Sequence, residues 1–348
     1  MENATTDNIL PDMMPDVTSM VYNDIDDDAA RLFSRTSATR AECDSFALET
    51  FGGPVYPVAV QGATSYTVVA GQAGDKIVQF REKDALLDMQ ILELAKRIHG
   101  GVVVCASMLG WIGDNAGPQL AVYAMDKIPG DNYVLARSTL AEDRLLHLET
   151  IRGLAGFFAQ AWREPIPSDQ VDVDAMIAEI LSSLENLGSS GILTPSLQTL
   201  LAKVINHIPT LFSKEFRLAL THSDLNELNI LVDSTIGRIT GVIDWTNAGT
   251  QPFGFALYVL DDFIGYMGPN GRVYYDNSEL LRDEFWAAFA ANAGKLSETD
   301  LERIRIARMA GYFLRYGIAH NSKQKGVAGI ESLSVRHRVC YLEAGLEG

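Results

Sequence analysis

The stretch LTHSDLNELNILVD, Leu220–Asp233, sets a histidine, two aspartates, a glutamate and two asparagines beside Asn-Ile-Leu-Val, a run that reads as the entry to a buried strand. Ile230-Leu231-Val232 and Ile239-Thr240-Gly241-Val242-Ile243 are β-prone, and the Asp233–Arg238 segment between them has hairpin-turn composition. Residues equidistant from such a turn face each other, which predicts Asn229 and Asp244 side by side at the open end. Asp224 lies in the loop feeding that end, so three oxygen-bearing side chains converge on one point. An amide oxygen and a carboxylate are hard ligands suited to Mg2+, and a neighbouring carboxylate can take a hydroxyl proton. Phosphoryl transfer needs that equipment: a metal for the phosphates and a base to orient the acceptor.

The surrounding chain narrows the classes available. Its 348 residues, 47% hydrophobic and 21% charged, predict a folded protein of two domains or one large bilobal one. A formal net charge of −17 argues against nucleic acid as a partner, because phosphate backbones demand a basic surface. The longest apolar candidate, Gly101–Gly113, is too short and too rich in glycine to span a membrane. MENATTDNILPDMMPDV has no basic segment followed by an apolar one, so the expected location is cytoplasmic. Cys43, Cys105 and Cys340 are few and scattered, which suits a reducing compartment and offers no metal spacing.

Upstream, residues 1–25 read as a flexible tail, with Asp26-Asp27-Asp28 capping a helix that begins near Ala29. A second helix, Ser37–Thr50, stops at Gly52-Gly53. Strands are expected at Val55–Gln61, Tyr66–Ala70 and Lys76–Arg81, then a helix at Lys83–His99, then strands at Val102–Trp111 and Gln119–Met125. Together they make a small α+β lobe, residues 26–126. The rest, 127–348, reads as mainly helical: a long helix behind a Thr139/Glu142 capping box, then Val173–Leu187, Pro195–His207, Ser278–Ala293 and Glu298–Tyr316.

His222-x-Asp224-x-x-x-x-Asn229 followed by an Asp at a strand end resembles a kinase catalytic loop and its metal-binding Asp. More specifically, THSDLNELNILVD with GVIDW is similar to the aminoglycoside phosphotransferase and choline kinase superfamily, and Gln251-Pro252-Phe253-Gly254 to a fungal branch of it. The resemblance implies an α+β, bilobal protein-kinase-like fold and an ATP- and Mg2+-dependent transfer of phosphate to a small-molecule acceptor. Within it, Asp224 matches the catalytic base, Asn229 and Asp244 the Mg2+ ligands, and His222 a brace for the loop. Backbone groups around Tyr123–Met125 are expected at the adenine, and the turn Gly62–Ser65 at the phosphates. Gln79 stands where relatives carry a phosphate-pairing Lys or Arg; Arg81, on the same strand face, is either its substitute or a solvated end residue. The helix carboxylate that orients such a cation is Asp88 or Glu93. Asp261 and Asp262 read as a solvated face, with attraction of an amine as the alternative. Acceptors among relatives range over aminoglycosides, choline, sugars, homoserine and natural-product alcohols. A nucleotide-binding module of the same fold without phosphotransfer is the second reading, favoured by Gln79 and the sparse glycine loop.

Overall fold

The computed structural model describes residues 25–222, 224–268, 271–319, 329–330 and 333–347; the expected tail lies outside these except for Ile25, which opens the first helix. Two compact units emerge: the described residues through Ala85 with Ser107–Lys127, and Leu86–Ala106 with the residues from Ile128 onward.

The first unit is an antiparallel five-stranded sheet of order β1-β2-β3-β5-β4, with β1 Tyr56–Pro57, β2 Ser65–Ala70, β3 Lys76–Arg81, β4 Ala106–Ile112 and β5 Leu120–Asp126. The strand expected over Val55–Gln61 shrinks to β1. Gln61 explains part of this: its side chain bonds the Val58 carbonyl and both backbone groups of Thr67, substituting for a ladder. Helices α1, Ile25–Phe33, and α2, Arg40–Phe51, pack on one sheet face, where Leu32, Cys43 and Ala47 meet Tyr66, Val68, Phe80 and Val122. The acidic run occupies the first turn of α1 rather than preceding it. Thr39 and Glu42 form the capping box of α2, and Gly52, at φ +68°, ends it.

The period of two then decides the other face. Register pairs Ser65 with Arg81 and Thr67 with Gln79 across β2/β3, and Gln79 with Tyr123 and Ile77 with Met125 across β3/β5. Every residue assigned by resemblance on these strands therefore points away from α1 and α2.

In the second unit the expected Lys83–His99 helix is shorter: α3 spans Met89–His99, because the Asp88 carboxylate accepts from Gln90 and Ile91 N–H and starts it there. The long helix divides into α4, Tyr133–Glu142, and α5, Arg144–Arg163. Asp143 breaks it by capping Leu145 and Leu146 N–H, so the Thr139/Glu142 spacing lies inside α4 and caps nothing. Helices α6, Val173–Ser189, and α7, Pro195–Leu211, follow. Strand β6, Asp131–Asn132, joins the predicted hairpin of β8, Ile230–Asp233, and β9, Arg238–Val242; β7, Leu218–Thr221, pairs with β10, Gly249–Pro252. After the short helix α8, Leu260–Phe263, and the ribbon β11, Gly265–Gly268, and β12, Gly271–Tyr274, helix α9, Ser278–Ala293, packs Phe285 and Phe289 near Phe158, Trp162 and Phe253. Helix α10, Glu298–Tyr312, continues into a π-helical turn, Phe313–Gly317, and α11, Val335–Leu346, closes the described chain. No helix among the described residues is long and apolar enough to cross a membrane.

Candidate active site

Ile230 pairs with Val242 at the open end of the β8/β9 hairpin, and Ile243 N–H donates to the Asn229 carbonyl at 2.9 Å, so the residue opposite Asn229 is Ile243 and Asp244 follows it by one position. A bulge at Leu231/Val232 shifts the register between the turn and this end. Asp244 and Asn247 both adopt φ +59°, the left-handed region that Asp and Asn enter more readily than other side chains. Such strain concentrates at functional sites. Thr246 Oγ1 donates to Asp244 Oδ1 at 2.7 Å, and Asp244 is an exposed residue.

His222 ties the loop to this strand end. Its Nε2 lies 2.8 Å from the Ile243 carbonyl and its Nδ1 accepts Asp224 N–H at 3.1 Å, so the proton belongs on Nε2. Burial pushes the imidazole below its usual range, against the pull of the carbonyl bond, and keeps it neutral. Trp245, 4.9 Å away edge to face, covers the ring and anchors its own N–H on the Val242 carbonyl. Trp245 is core, not a pocket wall.

The loop between His222 and Asn229 is shaped by its own amides. Asn226 accepts Leu228 N–H at 2.8 Å and donates to the Asp224 carbonyl and, at 2.6 Å, to Asp224 Oδ1. Asn229 Nδ2 donates to the Asp224 carbonyl at 2.8 Å, which turns its oxygen the other way. Glu227 forms an ion pair with Arg137 at 2.9 Å, where burial and the nearby Asp262 carboxylate push it up to about 7. Sequence reasoning left both Asn226 and Glu227 without a role. It also missed Arg315, in the π-helical turn, whose guanidinium donates to Asp224 Oδ1. Asp261 and Asp262 are not a solvated face: Asp261 is buried against Arg308 and Tyr312, and Asp262 pairs with Arg272 at 3.1 Å.

In the first unit, Gly62 and Ser65 close a tight turn, with Ser65 N–H on the Gly62 carbonyl and the Ser65 hydroxyl lying where a Cβ on Gly62 would crowd it. Arg35 holds the turn through the Ala63 carbonyl at 3.0 Å and Glu82 at 3.1 Å. Gln79 bridges Thr67 Oγ1 at 3.3 Å and an Arg81 guanidinium nitrogen at 3.2 Å. Arg81 is 2% exposed, with Nε on the Ala85 carbonyl at 2.7 Å, which removes the alternative of a solvated end residue. Tyr123 is buried opposite Gln79. Asp88 caps α3, while Glu93 falls within that helix.

The donor set fits a Mg2+–nucleotide complex. Asn229 directs an amide oxygen and Asp244 an exposed carboxylate from adjacent positions, both hard oxygen ligands. Among the described residues no three His, Cys, Asp or Glu gather as a metal cage. Two protein oxygens completed by phosphate and water is the manner in which Mg2+ is ordinarily held at phosphoryl-transfer sites.

Comparison with known proteins bears on the family and the fold. The sequence profile described as APH, Phosphotransferase enzyme family, matches residues 60–263. No curated protein matches the sequence. Among solved structures, a choline/ethanolamine kinase family protein from Mesorhizobium loti has a TM-score of 0.52 at 16% identity, over 93% of this chain and 95% of that one. The GDP complex of an aminoglycoside 2'-phosphotransferase IIIa variant has a TM-score of 0.51 at 15% identity, over 88% and 93%. Amicoumacin kinase hAmiN, in complex with AMP-PNP, Ca2+ and Ami, has a TM-score of 0.50 at 17% identity, over 96% of each chain. At such identities the likeness concerns the fold, which is protein-kinase-like. The profile covers more than half of the chain, and the protein therefore belongs to the phosphotransferase enzyme family.

Proposed function

We propose that the protein transfers the γ-phosphoryl group of ATP to a hydroxyl, or an amine, of a metabolite or natural product in the cytoplasm. The observation that carries this reading is the convergence of Asp224, Asn229 and Asp244 at one hairpin end, with His222 tying the loop to the strand. Asp224 orients the acceptor and takes its proton. Asn229 and Asp244 hold Mg2+, which when bound neutralises phosphate charge. The Gly62–Ser65 turn faces the phosphates, and the backbone at Tyr123 and Met125 receives the adenine. Arg81, whose guanidinium donates to Gln79, supplies the positive charge that Gln79 lacks.

The second reading, nucleotide binding without transfer, is favoured by a neutral Gln79 and by a phosphate turn already tied down by Arg35. Incubation with ATP, Mg2+ and fractionated metabolite pools separates the two. Active protein yields a product heavier by one phosphate group, lost in Asp224→Asn. Nucleotide binding with neither product nor ATP hydrolysis would overturn phosphotransfer.

A further inference from the structure

Resting on the phosphotransfer reading, we propose that Arg315 is a positioning residue: it fixes one oxygen of Asp224 so that the other is presented to the acceptor. Arg315 and Asn226 both donate to Oδ1, and no described residue bonds Oδ2. The loop bonds of His222 and Asn229 place the Asp224 backbone but leave its carboxylate free to turn. A charge-assisted bond to one oxygen removes that freedom, and charged bonds of this kind are the stronger ones.

Arg315 itself is buried. Its side chain is 7% exposed, against 42% for Asp224, so the guanidinium reaches the site from a buried base. Its carrier is the π-helical turn Phe313–Gly317, and such turns recur at functional sites because they re-aim side chains out of helical register. Tyr258 lies under the guanidinium at 5.9 Å, and neighbouring Tyr316 is stacked on Tyr341 of α11 at 4.4 Å. Burying a guanidinium is costly, and an apolar side chain of equal volume often gives equal or better stability. Packing alone therefore gives no reason for a charge here, whereas orientation of a catalytic carboxylate does.

The test uses Arg315→Met, Arg315→Lys and Arg308→Met, the last removing one of the two cations paired with buried Asp261 as a control for plain destabilisation. ATP hydrolysis with Mg2+, water serving as acceptor, gives kcat and KM, and crystal structures give the Asp224 orientation. Expected for Arg315→Met is a kcat loss on the order of 100-fold, as for a catalytic group misplaced by about 1 Å. KM for ATP should stay within about twofold, Arg315→Lys should recover part of the loss, and Arg308→Met should keep wild-type kcat. In the Arg315→Met crystal the Asp224 carboxylate should rotate. Wild-type kcat in Arg315→Met, or an unrotated Asp224, overturns the proposal. If Asp224→Asn is inactive while Arg315→Met is not, only this proposal fails; if Asp224→Asn hydrolyses ATP normally, the phosphotransfer site itself is misassigned. Should the wild-type protein not hydrolyse ATP, the Asp224 orientation in the Arg315→Met or Arg315→Lys crystal decides alone.

Discussion

Replacing His222 by Phe isolates the tether between the loop and the strand end. The ring is 2% exposed and bridges the Ile243 carbonyl at 2.8 Å and Asp224 N–H at 3.1 Å. Phe preserves the edge contact with Trp245 and the approximate volume, so the packing loss is small, but it takes the partner from one half-buried acceptor and one half-buried donor. Each orphaned group costs about 1–3 kcal/mol, which sums to roughly 2–6 kcal/mol, with about 3 kcal/mol as a working figure. For a unit of this size about 1 kcal/mol moves Tm by roughly 2–4 °C, giving an expected fall of about 6–12 °C. Calorimetry at pH 8 is the cleanest assay, because the wild-type imidazole is then neutral in both folded and unfolded chains and no ionisation enters the difference. ATP turnover should fall further than stability accounts for, since Asp224 loses its backbone anchor. A Tm within about 2 °C of wild type would refute the claim that these two bonds hold the loop, since that claim rests on a minimum cost of about 2 kcal/mol.

At Asp244, φ +59° separates chemistry from backbone strain: Asp244→Ala and Asp244→Gly should both abolish transfer, but urea unfolding should find the glycine variant more stable by about 1 kcal/mol. The reverse order would mean that the backbone relaxes when the carboxylate is removed. His99, stacked on Phe157 at 4.0 Å, is held by burial down to about 4 from a usual 6.5. Its folded form binds fewer protons than the unfolded chain, so stability is full above pH 6.5 and declines toward pH 4 by up to about 3 kcal/mol. His99→Phe should flatten that decline in urea titrations at pH 7.5, 5.5 and 4.5; an unchanged slope would assign the acid sensitivity to other groups.

What could be read in advance divides along a physical line. The hairpin, the sheet and the loop spacing were legible because they depend on local period and turn chemistry. Asp224, Asn229 and Asp244 lie within one short stretch around a hairpin, close enough in sequence for its turn to bring them to one end even though a bulge shifts the register on the way. The same local rules placed the second helix and its stop at Gly52-Gly53, but not the Thr39/Glu42 capping box that starts it. They did not mark Asp88 or Asp143 as a helix cap, because an acid that caps a helix and an acid on its surface look alike until the backbone is placed.

Charge pairing across long separations was not legible at all. Arg315 lies 91 residues from Asp224 in sequence, inside a stretch whose pattern continues an ordinary helix and conceals the widened turn. Asp261 and Asp262 read as surface because acids usually are, yet Arg308 and Arg272 meet them in the interior. With 45 acidic residues for 28 lysines and arginines, many pairings are open to each cation and composition ranks none of them. Tertiary packing makes that choice, and at Asp224 it places a buried cation on the very carboxylate that the local spacing marks as the base.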